Sequence, residues 1–315
     1  APARLPNERA GLCAMCVAFG GMLSRVAAHL ILGPREEPFL AALLQSLRGA
    51  CQRVLVNDNS PDPSPHARTL AESAFAREGT LVVDRTPFTD FSAARNVCID
   101  LHRRHDAGEW MLFVDADEVH GPQLARIAHN LANVPADHDF VDGYTWHFFQ
   151  SFDWYRSIER AKNFIRMTPD AQWEGAVHEK LRGPSGKRVA VPYVFAHYGW
   201  VLPIERQALK ERLYAALGRP GAMLPAHELD SPDLERSFTH EWRAALRFRG
   251  SHPPAATEII ARLREDLTVQ FAAVDRIIPR HQDARQCIAN SLMRLNYEQR
   301  WRLRGLSPLA RRLLA

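Results

Sequence analysis

The chain has 315 residues, 46% of them hydrophobic, enough for one large domain or a large and a small one with a substantial core. Its formal net charge of +4 is too mild to argue for nucleic acid by itself, although it suits an anionic substrate or a membrane surface. The five cysteines, Cys13, Cys16, Cys51, Cys98 and Cys287, are odd in number and lie in apolar surroundings, which excludes a disulfide framework and fits reduced thiols in a cytoplasmic protein. No run reaches the roughly 18 apolar residues of a spanning helix. The stretch GLCAMCVAFGGML lacks a small-x-small cleavage site in register and reads as a packed extension, residues 1–25, rather than a signal core. Within it, Cys13-x-x-Cys16 is half of a zinc pattern with no second pair at ligand spacing.

From Val26 to Val114 short β-like runs alternate with helical periodicity. AHLILG reads as a strand, and EEPFLAALLQSLRG as a helix with Phe39, Leu40, Leu43, Leu44 and Leu47 on one face and Gly49 as its stop. RVLV is the next strand, ending in the turn-forming NDNSPDPSP. A helix over 66–78, the strand TLVV, a helix around FSAARNVCIDLHRR and the strand WMLFV complete the alternation. Continuous apolar strands separated by crossover helices predict a mostly parallel α/β sheet covered on both faces. Ligands of such sheets bind beyond the carboxyl ends of the strands, where RVLV delivers Asn57-Asp58-Asn59-Ser60 and WMLFV delivers Asp115-Ala116-Asp117-Glu118.

After residue 138 the aromatic-rich FVDGYTWHFFQSFDWY, then FIRMTPDAQWEGAVHEKL and VPYVFAHYGWV, read as strands and long loops over the sheet. From Pro203 the chain reads as mostly helical, with IERQALKERLYAALG and AATEIIARLREDLTVQFAAVDRII as predicted helices. The final RWRLRGLSPLARRLLA carries five arginines and no acid, a solvated terminal helix or a peripheral contact with anionic lipid on the inner membrane face.

Asp-x-Asp after a buried strand suits a divalent cation, because hard Mg2+ or Mn2+ prefers carboxylate oxygens and shares its remaining positions with phosphate. Acidic turns of this kind also cap helices; Arg95-Asn96 upstream and the later His178-Glu179 add weight to the chemical reading. At this point the sequence resembles the family 2 glycosyltransferases, nucleotide-sugar-dependent enzymes of the GT-A fold. The likeness rests on RVLVNDNSPD, FSAARN, WMLFVDADE and WEGAVHEKL in that order, followed by His197-Tyr198-Gly199 and Lys210, over residues 26–212. It implies a Rossmann-like α/β catalytic domain at 26–212 and leaves 213–315 as a mainly helical subdomain suited by position to acceptor binding.

Carried over by position, the resemblance places Asp58 and Asn59 at the base of the nucleotide and Arg95 near the base or phosphates. Asp115 would meet the ribose or the metal, and Asp117 the metal and diphosphate. His197 is a candidate third ligand through a neutral imidazole nitrogen. Arg166, Lys180, Lys210 and Arg212 are candidate diphosphate clamps. The acceptor hydroxyl needs a base; Glu179 is the first candidate and His178 the second, with Glu174 behind them. Trp173 would pack beside the sugar or in the core. The implied reaction is an inverting transfer from a UDP- or GDP-sugar, dependent on Mg2+ or Mn2+. The acceptor is open: a glycan, a lipid-linked saccharide, a small molecule, a protein or a hydroxylated nucleobase in DNA. A nucleotidyltransferase would be expected to show a Gly-rich phosphate loop, and LILGPREEP has none; a noncatalytic glycan or nucleic-acid module is the other alternative.

Overall fold

The computed structural model describes residues 25–177, 179–217, 242–303 and 307–314; Cys13, Cys16 and His178 lie outside the described residues. Four strands form the first half of the sheet: β1 (Val26–Leu32), β2 (Arg53–Asp58), β3 (Leu81–Asp84) and β4 (Trp110–Phe113). All their mutual pairings are parallel, with β1 between β2 and β4. Every side chain of β1 except Ile31 is buried, as expected of a strand covered on both faces.

The crossovers are α1 (Leu40–Ser46), the pair α2 (Ala67–Ala71) and α3 (Ala74–Arg77), and α4 (Phe91–Arg104). Phe39, Leu40, Leu43, Leu44 and Leu47 are all buried as the periodicity predicts, and Gly49 takes φ +75° just past α1, a conformation glycine adopts without steric cost. The single helix expected over 66–78 is two short ones. Ser73 breaks it by going extended and accepting from the Ala76 amide, a capping bond that competes with helix continuation.

The second half is built differently. β5 (Glu118–Val119), α5 (Gln123–His129), β6 (His138–Phe149), β7 (Trp154–Arg166), β8 (Gln172–Glu174), β9 (Lys180–Arg182) and β10 (Lys187–Trp200) follow. The sheet order is β3-β2-β1-β4-β7-β6-β10-β5, with β11 (Leu246–Arg247) on β7 and a separate β8-β9 ribbon. The expected mostly parallel sheet is therefore corrected to a mixed one: β4/β7, β6/β7 and β10/β5 are antiparallel. A short turn at Gln150–Asp153 folds β7 straight back on β6, a connection only antiparallel strands allow.

Helices α6 (Ile204–Ala216), α7 (Thr257–Asp266), α8 (Thr268–His281), α9 (Ala284–Leu303) and α10 (Pro308–Leu314) follow the sheet. The long helix expected from Ala255 is interrupted at Leu267, whose ψ of 23° leaves the helical range. Ile259, Ile260, Leu263 and Phe271 join Phe39, Phe148, Phe152 and Tyr198 in one cluster, and Ala310 and Leu313 join the main core beside Val191 and Tyr193. The C-terminal helices thus share the core of the sheet. The apolar side of α10 is used in that core while Arg311 and Arg312 stay exposed. Among the described residues no helix is long and apolar enough to cross a membrane.

Candidate active site

The parallel strands end together, and a cleft of about 660 Å3 opens beyond β1 and β4. Its acidic side is the turn after β4. The Glu118 amide donates to the Asp115 carbonyl at 3.0 Å, and the Tyr198 amide donates to the Asp117 carbonyl at 2.8 Å. β5 then pairs with β10 so that Glu118 lies opposite His197. The turn is pinned from both ends, and its three carboxylates separate.

Glu118 stays beneath, its Oε2 accepting from the Asp115 amide at 3.1 Å; burial first, then the charge of Asp115, push its pKa well above the carboxylate range. Asp115 faces the cleft with 40% of its side chain exposed. Asp117 points inward, with His197 Nε2 3.3 Å from Oδ1 and Lys210 Nζ 3.6 Å from Oδ2. Burial alone would raise the Asp117 pKa, but His197 and Lys210 hold it below its ordinary value. Burial likewise opposes the charge of Lys210, which Asp117 nevertheless keeps above the usual lysine range. Lys210 projects from α6 over the ring of Trp200.

Across the cleft, Asn57 and Asn96 fasten α4 to its surroundings. Asn57 Nδ2 donates to the Ala94 carbonyl at 3.1 Å. Asn96 exchanges two hydrogen bonds with the backbone of Trp173, at 2.8 and 2.9 Å. That ties the β8-β9 ribbon to α4 and brings Glu179, in the ribbon's loop, to Arg95. Arg95 Nε donates to Glu179 Oε1 and Nη2 donates to Asp115 Oδ1 at 2.7 Å. Its guanidinium also lies 4.0 Å from the Phe113 ring centre, a cation–π contact that holds the plane. One buried arginine therefore joins the candidate base to the acidic turn.

The cleft gathers Asn59, Arg95, Asp115, Asp117, Glu179, His197, Lys210 and Trp173. Asp58, Arg166, Glu174, Lys180 and Arg212 are not among the residues lining it. The buried Asp58 carboxylate accepts from Ser60 in an Asx-type turn and from Ser64 beyond it, with Arg85 Nε 3.8 Å away. Arg166 is corrected as a diphosphate clamp. It stands opposite Trp110 at the amino end of β4, with its guanidinium over that ring and bonded to the carbonyls of Val134 and His138, because antiparallel β7 carries its last residue away from the crevice.

Glu37 is a site residue the sequence reading passed over as part of a helix start. It lines the cleft, Arg206 Nη2 lies 3.2 Å from its Oε2, and its Oε1 is buried without a hydrogen-bond partner. Burial, then Asp117, push its pKa up to about 7, against Arg206 and Lys210. Its position in the loop leaving β1, at the strand-order reversal, was the available signal. With a folded pKa raised above the unfolded one, Glu37 makes stability fall as pH rises from about 4.5 to about 7. Glu37→Gln is therefore expected to raise Tm relative to wild type at pH 8 and to lose that advantage near pH 4.5, as thermal unfolding at the two pH values will show.

For a divalent cation, the test is the chemistry of the donors present. Among the described residues no three His, Cys, Asp or Glu side chains are already gathered at metal-binding spacing. Asp117 Oδ1 is nevertheless buried with no hydrogen-bond partner and 3.3 Å from the His197 imidazole Nε2, and the Asp115 carboxylate lines the same cleft. Such a partial oxygen and nitrogen set fits a cation whose shell is completed by phosphate oxygens and water. Gly199 keeps the space open: a Cβ there would sit 2.3 Å from Asp117 Oδ2 and 3.0 Å from His197 Nε2. Gly199→Ala is expected to displace both side chains and weaken Mn2+ binding at least about tenfold, measurable by titration against the free-Mn2+ resonance signal.

A comparison with curated proteins gave no match. Among solved structures the chain is similar to a mannosyltransferase from Pyrobaculum calidifontis in complex with GDP-Man and Mn2+, at TM-score 0.38 and 14% identity, covering 93% of this chain and 86% of that one. Residues 35–190, which contain the acidic turn, Arg95 and Glu179, match the model of glycosyl transferase family 2, and the chain belongs to that family of glycosyltransferases.

Proposed function

We propose that this glycosyltransferase moves a sugar from a nucleoside diphosphate to a hydroxyl acceptor by a single inverting displacement, with Mg2+ or Mn2+ bound at the acidic turn. The observation that carries the reading is the two-sided cleft. Asp115, Asp117, His197 and Lys210 stand on one side and Glu179 on the other, with Arg95 between Asp115 and Glu179. Asp115, Asp117 and His197 would hold the cation, whose chemistry is to neutralise charge developing on the leaving diphosphate.

The rest of the work falls to the chain. Lys210 supplies a fixed positive charge where the leaving group gains negative charge, an electrostatic contribution that needs no reorganisation. Glu179 offers a carboxylate to the acceptor hydroxyl and takes its proton as the new glycosidic bond forms. Arg95 occupies one carboxylate oxygen of Glu179 and leaves the other for that task. Asn59 and the loop after β1 provide the edge at which the nucleoside would lie. The opposite wall carries Phe88, Phe91, Leu213 and Tyr214, with Phe88 and Phe91 edge to face at 5.2 Å. Rings in that place suit the apolar face of an acceptor sugar, and α6 leads from them into the helical region, to which we assign acceptor selection.

The experiment is to offer UDP- and GDP-sugars with Mn2+ and read the anomeric configuration of the first product by NMR. An inverted anomer supports the single displacement. A retained anomer overturns the base role of Glu179.

A further inference from the structure

Helix α9 is built inside out. A helix lying on a protein surface ordinarily turns its apolar residues to the core and its polar residues to water. On α9 the buried residue is Asn290, 3% exposed, whose Nδ2 donates to the carbonyls of Arg156 and Ala244. Cys287 Sγ donates to the Arg243 carbonyl at 3.3 Å, and the Arg294 guanidinium lies 5.9 Å from the Trp146 ring centre. These contacts fix which side of α9 packs on the sheet.

Ile288, Leu292 and Leu295 are on the other side, 59%, 57% and 46% exposed. Spaced by four and three residues, they form one stripe, and Asn290 lies about 200° round the helix from Ile288. Isolated exposed apolar residues are ordinary, whereas a contiguous stripe rimmed by polar groups marks a surface with a partner.

Charge indicates which partner. Residues 284–315 hold seven arginines and one acidic residue, so residues 1–283 are net negative and the basic character of the chain is concentrated here. Arg243, Arg280 and Arg285 are exposed around the amino-terminal end of α9. Arg243 is placed there by its bond to Cys287, and Arg285 neighbours Ile288 on the helix surface. Asp283, between Arg280 and Arg285, accepts from the Gln286 amide at the start of the helix. Helix α10 buries Ala310 and Leu313 in the main core, so the exposed apolar surface of this basic stretch, among the described residues, is that of α9.

We propose that the outer face of α9 docks on an anionic lipid surface. Ile288, Leu292 and Leu295 enter the boundary between headgroups and acyl chains, and the flanking arginines meet lipid phosphates. A second copy of this chain fits the face less well, because a symmetric contact would set the same arginines against one another.

The test is co-sedimentation of the full chain with sucrose-loaded vesicles, of phosphatidylcholine alone and of phosphatidylcholine and phosphatidylglycerol in equal parts. Wild type is compared with Ile288→Ser/Leu292→Ser/Leu295→Ser and with Arg285→Glu. Wild type is expected to bind the anionic vesicles at least about tenfold more tightly than the neutral ones, since each basic residue near such a surface contributes about fivefold. The triple variant is expected to lose at least about tenfold in affinity, and Arg285→Glu about fivefold. All four substituted side chains are exposed, and thermal unfolding shows whether each variant keeps the fold. Failure of wild type to bind anionic vesicles, or equal binding to both kinds, overturns the proposal. Wild-type affinity in the folded triple variant, or in Arg285→Glu where that variant alone folds, does the same. A lipid-free dimer that the triple variant converts to monomer, with vesicle binding unchanged, assigns the stripe to a second copy and overturns it as well.

Discussion

Asp117→Asn is expected to lower turnover of the nucleotide-sugar donor by about 10²- to 10³-fold, the loss typical of removing one preorganised group that stabilises charge in the transition state. Asparagine keeps the shape of the side chain and removes its charge, so the effect is electrostatic. Asp117 is the point on which His197 and Lys210 converge, and its Oδ1 has no hydrogen-bond partner to satisfy it. Asp117→Ala should do the same to turnover and in addition destabilise the fold, because half-buried Lys210 loses a carboxylate 3.6 Å away. Steady-state rates with the preferred donor, together with thermal unfolding of both variants, separate the two effects. Turnover unchanged in Asp117→Asn would remove the acidic turn from the chemistry.

Glu179→Gln is expected to reduce kcat by about 10²- to 10⁴-fold, the range of general acid–base contributions, while the donor KM changes little. The side chain lies across the cleft from the acidic turn and only 11% of it is exposed. Its partner Arg95 also donates to Asp115 at 2.7 Å, so the donor side is expected to stay in place when the Glu179 charge is lost. A variant that loses donor affinity and kcat together would mark Glu179 as a binding group rather than a base.

The parallel half of the fold was legible because its strands are buried on both faces and therefore apolar throughout. The acidic turn was legible with them, because it lies at the carboxyl end of the last of those strands. The antiparallel half was not legible, since strand direction there is decided by the short turn after Phe149, and the alternation of YTWHFF says nothing about which neighbour it pairs with. Asp115, Asp117, Glu179 and Lys210, named as candidates from the motifs, line one cleft. Arg166 was misplaced because a charge pattern carries no information about which end of a strand faces the crevice. Glu37 was missed for another reason: it is distinguished by a buried, unpartnered oxygen, a property of tertiary packing.

The central claim is a metal-assisted nucleoside diphosphate site at the ends of β1 and β4. Its most direct test is calorimetric titration of UDP and GDP, each with and without Mn2+, into folded wild-type protein and Asp117→Ala. The account predicts binding of one diphosphate that strengthens with Mn2+ and is lost in Asp117→Ala. Failure of the wild type to bind either diphosphate, or binding that ignores both Mn2+ and the substitution, would contradict it.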